Sequence, residues 1–367
     1  MHQDRAPESV WAAAPEPAKR RLRLFRRDPE AQTLWQSEFE QQDLGEPLGV
    51  WATDEVVALV RFDRVTAYAP ATGEPRWTWQ PPGQDVIVRV AEDTADGLGV
   101  VLHYDDGGRV DEKVRLTALD LGSGDVAWSR EQPKDQLGDI GADRARHVSI
   151  GGGRIATAPV WIANSQGRKG KEPPVVRSLD ARTGSVQWER SLPDHWGDWF
   201  SALAADPPVL SVRNRGKRSR PRLYVVREDG QWHIELPDGY QDFGPAVAVV
   251  GDTIAVGLEP DDPAGDSEKS ADTLLRAYSV RTGEQLWEWR VDHGRTLHPL
   301  AHRGYFMVGN GYGSRVTVLD PADGRVVAER RLPGFSYRAR YAAWGDRLAV
   351  VCHAVSETRR LRVFRWK

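Results

Sequence analysis

The stretch VRSLDARTGSVQW, residues 176–188, decides the fold. Its first residues mix apolar Val176 and Leu179 with polar Arg177 and Ser178, as a strand does. Asp180 follows, placed to accept hydrogen bonds from the backbone of the turn that comes next. Gly184 then supplies the positive φ that closes a hairpin of three to five residues. Trp188 stands on the returning strand, where it buries a large aromatic face between neighbouring units. The same order recurs as VTAYAPATGEPRW (65–77), RLTALDLGSGDVAW (115–128) and LRAYSVRTGEQLW (275–287). Each copy carries its tryptophan four positions after its glycine: Gly73 and Trp77, Gly124 and Trp128, Gly184 and Trp188, Gly283 and Trp287. Two further copies have drifted. LYVVREDGQW sets Trp232 two positions after Gly230, and VTVLDPADGRVVA has Ala328 where the tryptophan belongs.

A second signature precedes the first: TDEVVAL (53–59), GGRIATA (152–158), GDTIAVG (251–257) and GDRLAVV (345–351). It reads as a polar turn feeding a strand that is apolar on both faces and must be covered on both. The unit is therefore four antiparallel strands, repeated about every 50 residues, with no helical segment between them. Such units stack as the blades of a β-propeller, and a superhelical array is the weaker alternative. Closure follows from RRLRLFRR (20–27) and RRLRVFRW (359–366), near-duplicates that lie about seven periods apart. The expectation is an all-β fold: a single propeller of seven four-stranded antiparallel blades, with eight as the alternative. Terminal strands close the ring, the segment near Thr33–Phe39 completing the blade built from the C-terminus. Residues 1–18, rich in Pro and Ala, read as a flexible tail, and 19–367 as the propeller.

The A-x-D-x-x-T-G-x-x-x-W pattern resembles the tryptophan-docking repeat of quinoprotein-type, or PQQ-like, β-propellers. That resemblance spans about residues 20 to 367 and implies the fold more strongly than any function. The superfamily includes pyrroloquinoline quinone dehydrogenases and BamB-like assembly scaffolds. The former, as the resemblance implies, are secreted, larger, and use calcium and an acidic residue at the ring centre, often with a vicinal disulfide.

Composition works against the enzymatic branch. Cys352 is the sole cysteine, so neither an intrachain disulfide nor a Cys-rich metal site can form. No calcium carboxylate cluster is recognisable, and neither GxSxG, HExxH nor Walker A occurs. GNGYGS (309–314) lies between strands and reads as a glycine-rich turn instead of a nucleotide loop. His298 and His302 share a strand face without a third ligand, and EPDDPAGDSE (259–268) lacks the spacing of a calcium loop. The reading is a non-enzyme without cofactor or metal. Lys plus Arg total 50 against 53 Asp plus Glu, a net charge of −3 that disfavours a whole-molecule nucleic-acid binder. No apolar run reaches membrane-spanning length. The N-terminal residues lack the apolar core of a signal peptide, so a cytoplasmic location is expected.

The loops are where charge segregates. The connection between second and third strands is long in blades 2 to 5 and short in blades 1 and 6. In blade 3 it carries Arg168, Lys169 and Lys171, and in blade 4 Arg213, Arg215, Lys217, Arg218, Arg220 and Arg222. Blade 5 carries Asp261, Asp262, Asp266, Glu268 and Asp272. Blade-to-blade connections on the same face hold Trp196, Trp199, Tyr240, Phe243, Phe335 and Tyr337 just after Leu-Pro steps. Partly exposed aromatics beside a charged rim are the makings of an interface. The expected function is a protein-interaction scaffold that binds a partner with an acidic surface, in preference to nucleic acid. A small-ligand binder or sensor using an aromatic-lined central funnel is the alternative.

Overall fold

The computed structural model describes residues 30–40, 49–105, 114–132, 148–158, 175–192, 199–213, 222–228, 230–237, 246–259, 273–291, 297–310, 315–333, 337–353 and 358–366. The expected tail and the first copy of the RRLR segment lie outside them. Within them the chain forms seven four-stranded sheets. Blade 1 runs from Gly49 to Trp79, blade 2 from Asp85 to Glu131 and blade 3 from Val148 to Ser191. Blade 4 runs from Trp199 to Glu235, blade 5 from Ala246 to Val291 and blade 6 from Leu297 to Arg331. Blade 7 combines Tyr337–Trp344, Arg347–His353 and Thr358–Arg365 with the N-terminal strand Gln32–Glu40. Seven blades is therefore the number, and eight is set aside.

The ring closes as expected. Gln32–Glu40 pairs antiparallel with Thr358–Arg365, from Gln32 opposite Arg365 to Glu40 opposite Thr358. Arg360 and Glu38 add an ion pair of 2.8 Å across that seam. The apolar core is not central. It is split into one cluster per junction between neighbouring blades, for instance Leu203, Val209 and Leu223 of blade 4 against Val247, Ile254 and Val256 of blade 5. Such a core explains the second signature: strands Val57–Val60 and Thr253–Leu258 face a neighbouring blade on each side and are buried at every position.

The hairpin turns share one construction in blades 1, 2, 3, 5 and 6. In blade 3, Gly184 N–H donates to Asp180 C=O at 2.9 Å and Asp180 N–H donates to Ser185 C=O at 2.9 Å. A one-residue bulge at Ser178/Leu179 returns the chain to register. The carboxylate of Asp180 accepts from the Thr183 amide at 2.8 Å and from its hydroxyl at 2.9 Å. Asp120 and Asp320 accept turn amides in the same way.

Five repeat tryptophans dock on the turn of the next blade, not on their own. A methyl group on Gly124 would sit 2.6 Å from the Trp77 ring, and one on Gly184 2.7 Å from Trp128. Trp35, Trp232 and Trp287 cover Gly73, Gly283 and Gly324 likewise. Trp35, Trp77, Trp128 and Trp287 also donate their Nε1–H to a turn carbonyl, those of Pro70, Leu121, Ala181 and Pro321, at 2.8–3.1 Å. The drifted repeat of blade 4 breaks this series. Its turn closes with Arg227 N–H on Gly230 C=O, its strands pair without a bulge, and Gly230 faces open space.

Candidate functional site

A meander of four antiparallel strands sends alternate connections to opposite faces of the ring. First-to-second and third-to-fourth connections lie on a turn face; second-to-third and blade-to-blade connections lie on a loop face. On the turn face most links are tight, as between Val250 and Thr253 or His302 and Tyr305. The longest links all leave from the loop face: between Thr157 and Val175, Leu258 and Thr273, and Glu131 and Val148. This distribution makes the loop face the candidate site.

The described strands bracket the basic residues of the sequence. Arg168, Lys169 and Lys171 fall between Thr157 and Val175 of blade 3, and Arg215, Lys217, Arg218 and Arg220 between Arg213 and Arg222 of blade 4. Their placement, like that of Trp196, Tyr240, Phe243 and Phe335, lies outside the described residues. Trp199 and Arg213 are opposite one another at the loop-face end of blade 4. Arg222 stands at the start of its strand and pairs with Glu235 across the hairpin at 3.3 Å, which ties one of the nine cations to the blade's side.

Blade 1 contributes residues that the sequence reading passed over. Its short loop-face turn holds Arg61, Asp63 and Arg64, with Arg64 Nε donating to Asp63 at 2.7 Å. The Arg61 guanidinium lies 5.7 Å from the centre of the Phe39 ring, a cation–π contact between blade 1 and blade 7. The hydrogen bond to Asp63, and then the Asp63 charge, push the Arg64 pKa up.

At the centre of the ring the inner strands approach one another. Arg340 of blade 7 pairs with Glu92 of blade 2 at 3.9 Å, passing over the inner edge of blade 1. A cavity of ≈ 40 Å³ beside it, between Trp51, Asp93, Leu300 and Tyr341, has room for a water but not for a metabolite. His298 and His302 lie on the inner strand of blade 6. His302 Nε2 donates to the Gly345 carbonyl at 3.0 Å, and His298 packs 6.2 Å from the Tyr341 ring. Among the described residues no three His, Cys, Asp or Glu side chains gather as metal ligands. No helix among the described residues is long and apolar enough to cross a membrane.

One polar chain in blade 2 resembles a catalytic relay. His103 Nδ1 meets Asp85 at 2.7 Å and Nε2 meets Thr117 Oγ1 at 2.8 Å, with Ser129 a further 2.8 Å on. Trp79 of blade 1 meets the imidazole edge-on at 5.7 Å. Burial pushes the His103 pKa down, partly offset by Asp85. His103 and Thr117 are each 1% exposed, so no substrate reaches either and the chain is structural. Nothing in the local sequence marked it, because its four members come from four strands and follow no motif.

A family described as outer membrane protein assembly factor BamB matches residues 21–226 and 174–352. No curated protein matches the sequence. Among solved structures, the fold is similar to the RRP9 WD40 repeats, with a TM-score of 0.54 at 12% identity over 92% of this chain and 99% of that one. It is similar to the Neurospora crassa Pan2 WD40 domain, with a TM-score of 0.56 at 11% identity over 92% and 97%. BamB from Moraxella catarrhalis aligns over 87% of this chain and 84% of its own at 15% identity, with a TM-score of 0.46. The likenesses to the two WD40 structures are to a propeller fold.

Proposed function

The chain belongs to the family described as outer membrane protein assembly factor BamB, and from that premise we propose a non-enzymatic scaffold that binds a partner protein through its loop face. The observation that carries the reading is the segregation of connections: tight turns sealed by docked tryptophans on one face, all the longest links on the other. Nine basic residues belong to the second-to-third connections of two adjacent blades, or to their borders, in a chain of net charge −3. Such a patch attracts an acidic protein surface, speeds its docking and makes capture sensitive to salt. The family description, an assembly factor, supports a role in bringing proteins together and not in turnover.

The test reverses Arg215, Lys217 and Arg218 to Glu together. The melting temperature should be unchanged, because loop residues add little to a blade's core. Partners captured from the native host by the unaltered chain should be lost at low salt. Capture of the same proteins by the triple variant, with an affinity indifferent to ionic strength, would overturn the proposal.

A further inference from the structure

The drifted turn of blade 4 leaves a gap where every other docking tryptophan has a partner. Trp188 is in the same repeat position as Trp77, Trp128 and Trp287, on the outer strand of blade 3. Its indole is 9% exposed and packs against Val226, yet Gly230 of the next turn has no atom of it nearby. Among the described residues nothing accepts a hydrogen bond from Trp188 Nε1. The carbonyl that corresponds to those of Leu121 and Ala181 is that of Glu228, and it is taken by Arg190 Nη1 at 3.2 Å.

The shortened turn opens a cleft of ≈ 740 Å³ on the turn face, lined by Trp188, Pro207, Pro208, Val226 and Val280. That volume is in the range of about 300–1,000 Å³ typical of ligand sites. Five charged side chains line it as well, Asp252 and four others: Arg154 and Arg227, Asp206 and Glu228. None of the four forms an ion pair among the described residues, whereas Asp252 beside them pairs with Arg281 at 2.7 Å.

Neighbouring junctions show which chemistry fills such a place. There the occupant is a five-residue turn opened by Asp or Ala and closed by Gly, with a carbonyl on the indole N–H. We propose that the cleft between blades 3 and 4 receives a turn of this kind from a partner protein. A partner carbonyl accepts from Trp188 Nε1 at the edge of the indole that lines the cleft. Arg154 and Arg227 meet an acidic side chain on that turn, and Asp206 and Glu228 a basic one, as a turn bearing the equivalents of Asp180 and Arg182 supplies. The cleft is on the face opposite the basic loops, so this site is separate from the scaffold surface proposed above.

The probe is a backbone-cyclised, fluorescently labelled hairpin with the sequence LDARTGSV, that of residues 179–186, titrated against the full chain. Saturable binding should appear by about 1 mM, and a scrambled cyclic peptide of the same composition should not bind. Trp188→Phe keeps a ring but removes the donor, and should weaken binding about tenfold. A second variant, in which residues 227–230 are replaced by SVRTGE from residues 279–284, fills the cleft from within and should abolish binding while raising the melting temperature. The loop-face triple reversal should bind the hairpin like the unaltered chain, which separates this site from the scaffold surface. The proposal fails if the hairpin does not bind, if the scrambled peptide binds equally, or if Trp188→Phe binds undiminished. It also fails if sedimentation shows dimers that Trp188→Phe dissolves, since the occupant is then a second copy of the chain.

Discussion

A glycine and an indole make the repeat work, and their contact sets the cost of changing either. Gly124 has φ of 83°, where a β-carbon costs about 1–2 kcal/mol. That carbon would also lie 2.6 Å from the Trp77 ring and push it out of its seat. Gly124→Ala should therefore lower stability by about 2 kcal/mol or more, read as the shift of the urea midpoint. Gly230 faces open space, and Gly230→Ala should stay within about 0.5 kcal/mol. Equal shifts for the two would refute the docking description. His103 makes a second residue-scale prediction. Burial lowers its pKa in the folded chain below the ordinary 6.5, so only the unfolded chain takes up a proton just below that pH. Its contribution is full above about pH 6.5 and is lost as pH falls from there through the lower folded value. His302 is shifted the same way by burial. The urea midpoint should drop between pH 7 and pH 5, and drop less in His103→Gln.

At the scale of elements, the N-terminal strand does what no other strand does: it joins the two ends of the chain. Gln32–Glu40 supplies the outer edge of blade 7, and through Trp35 it docks on the turn of blade 1. Removing residues 1–18 touches none of those contacts and should leave the melting temperature alone. Removing residues 1–40 deletes the seam and exposes the edge of Thr358–Arg365, an invitation to pair with other chains. That variant should melt earlier and associate. Identical melting of the two truncations would contradict closure by this strand. The element was legible beforehand because its partner sequence, RRLRVFRW, announces itself as a third strand without a fourth.

For the whole molecule, the question is whether the ring centre serves chemistry or only geometry. Among the described residues Arg340 and Glu92 pair across the inner strands, with a cavity of ≈ 40 Å³ beside them, too small for a quinone. Pyrroloquinoline quinone with calcium should accordingly produce no thermal shift and no dye-linked oxidation of alcohols or sugars. A ligand held at 100 times its Kd would stabilise by about 2.7 kcal/mol, enough to show plainly in melting. Such a shift would turn the reading from scaffold to enzyme.

What the sequence by itself determined is what repeats. Strand alternation, the Asp-to-Gly turn and the tryptophan after it are local chemistry, so each copy carries its own instructions, and counting copies reaches seven blades. The same locality kept other facts out of view. Trp77 reads as buried between units, but which turn it covers, that of blade 2, is settled only when blades stack. The two-residue spacing of Gly230 and Trp232 was visible as drift, but not that it would strand Trp188 beside a charged cleft. Asp85, His103, Thr117 and Ser129 lie on four strands, and only sheet register brings them within 2.8 Å of one another in sequence. Period and turn chemistry are short-range and can be read residue by residue. Docking, cavities and polar networks depend on which surfaces the closed ring sets face to face, and that only the tertiary structure decided.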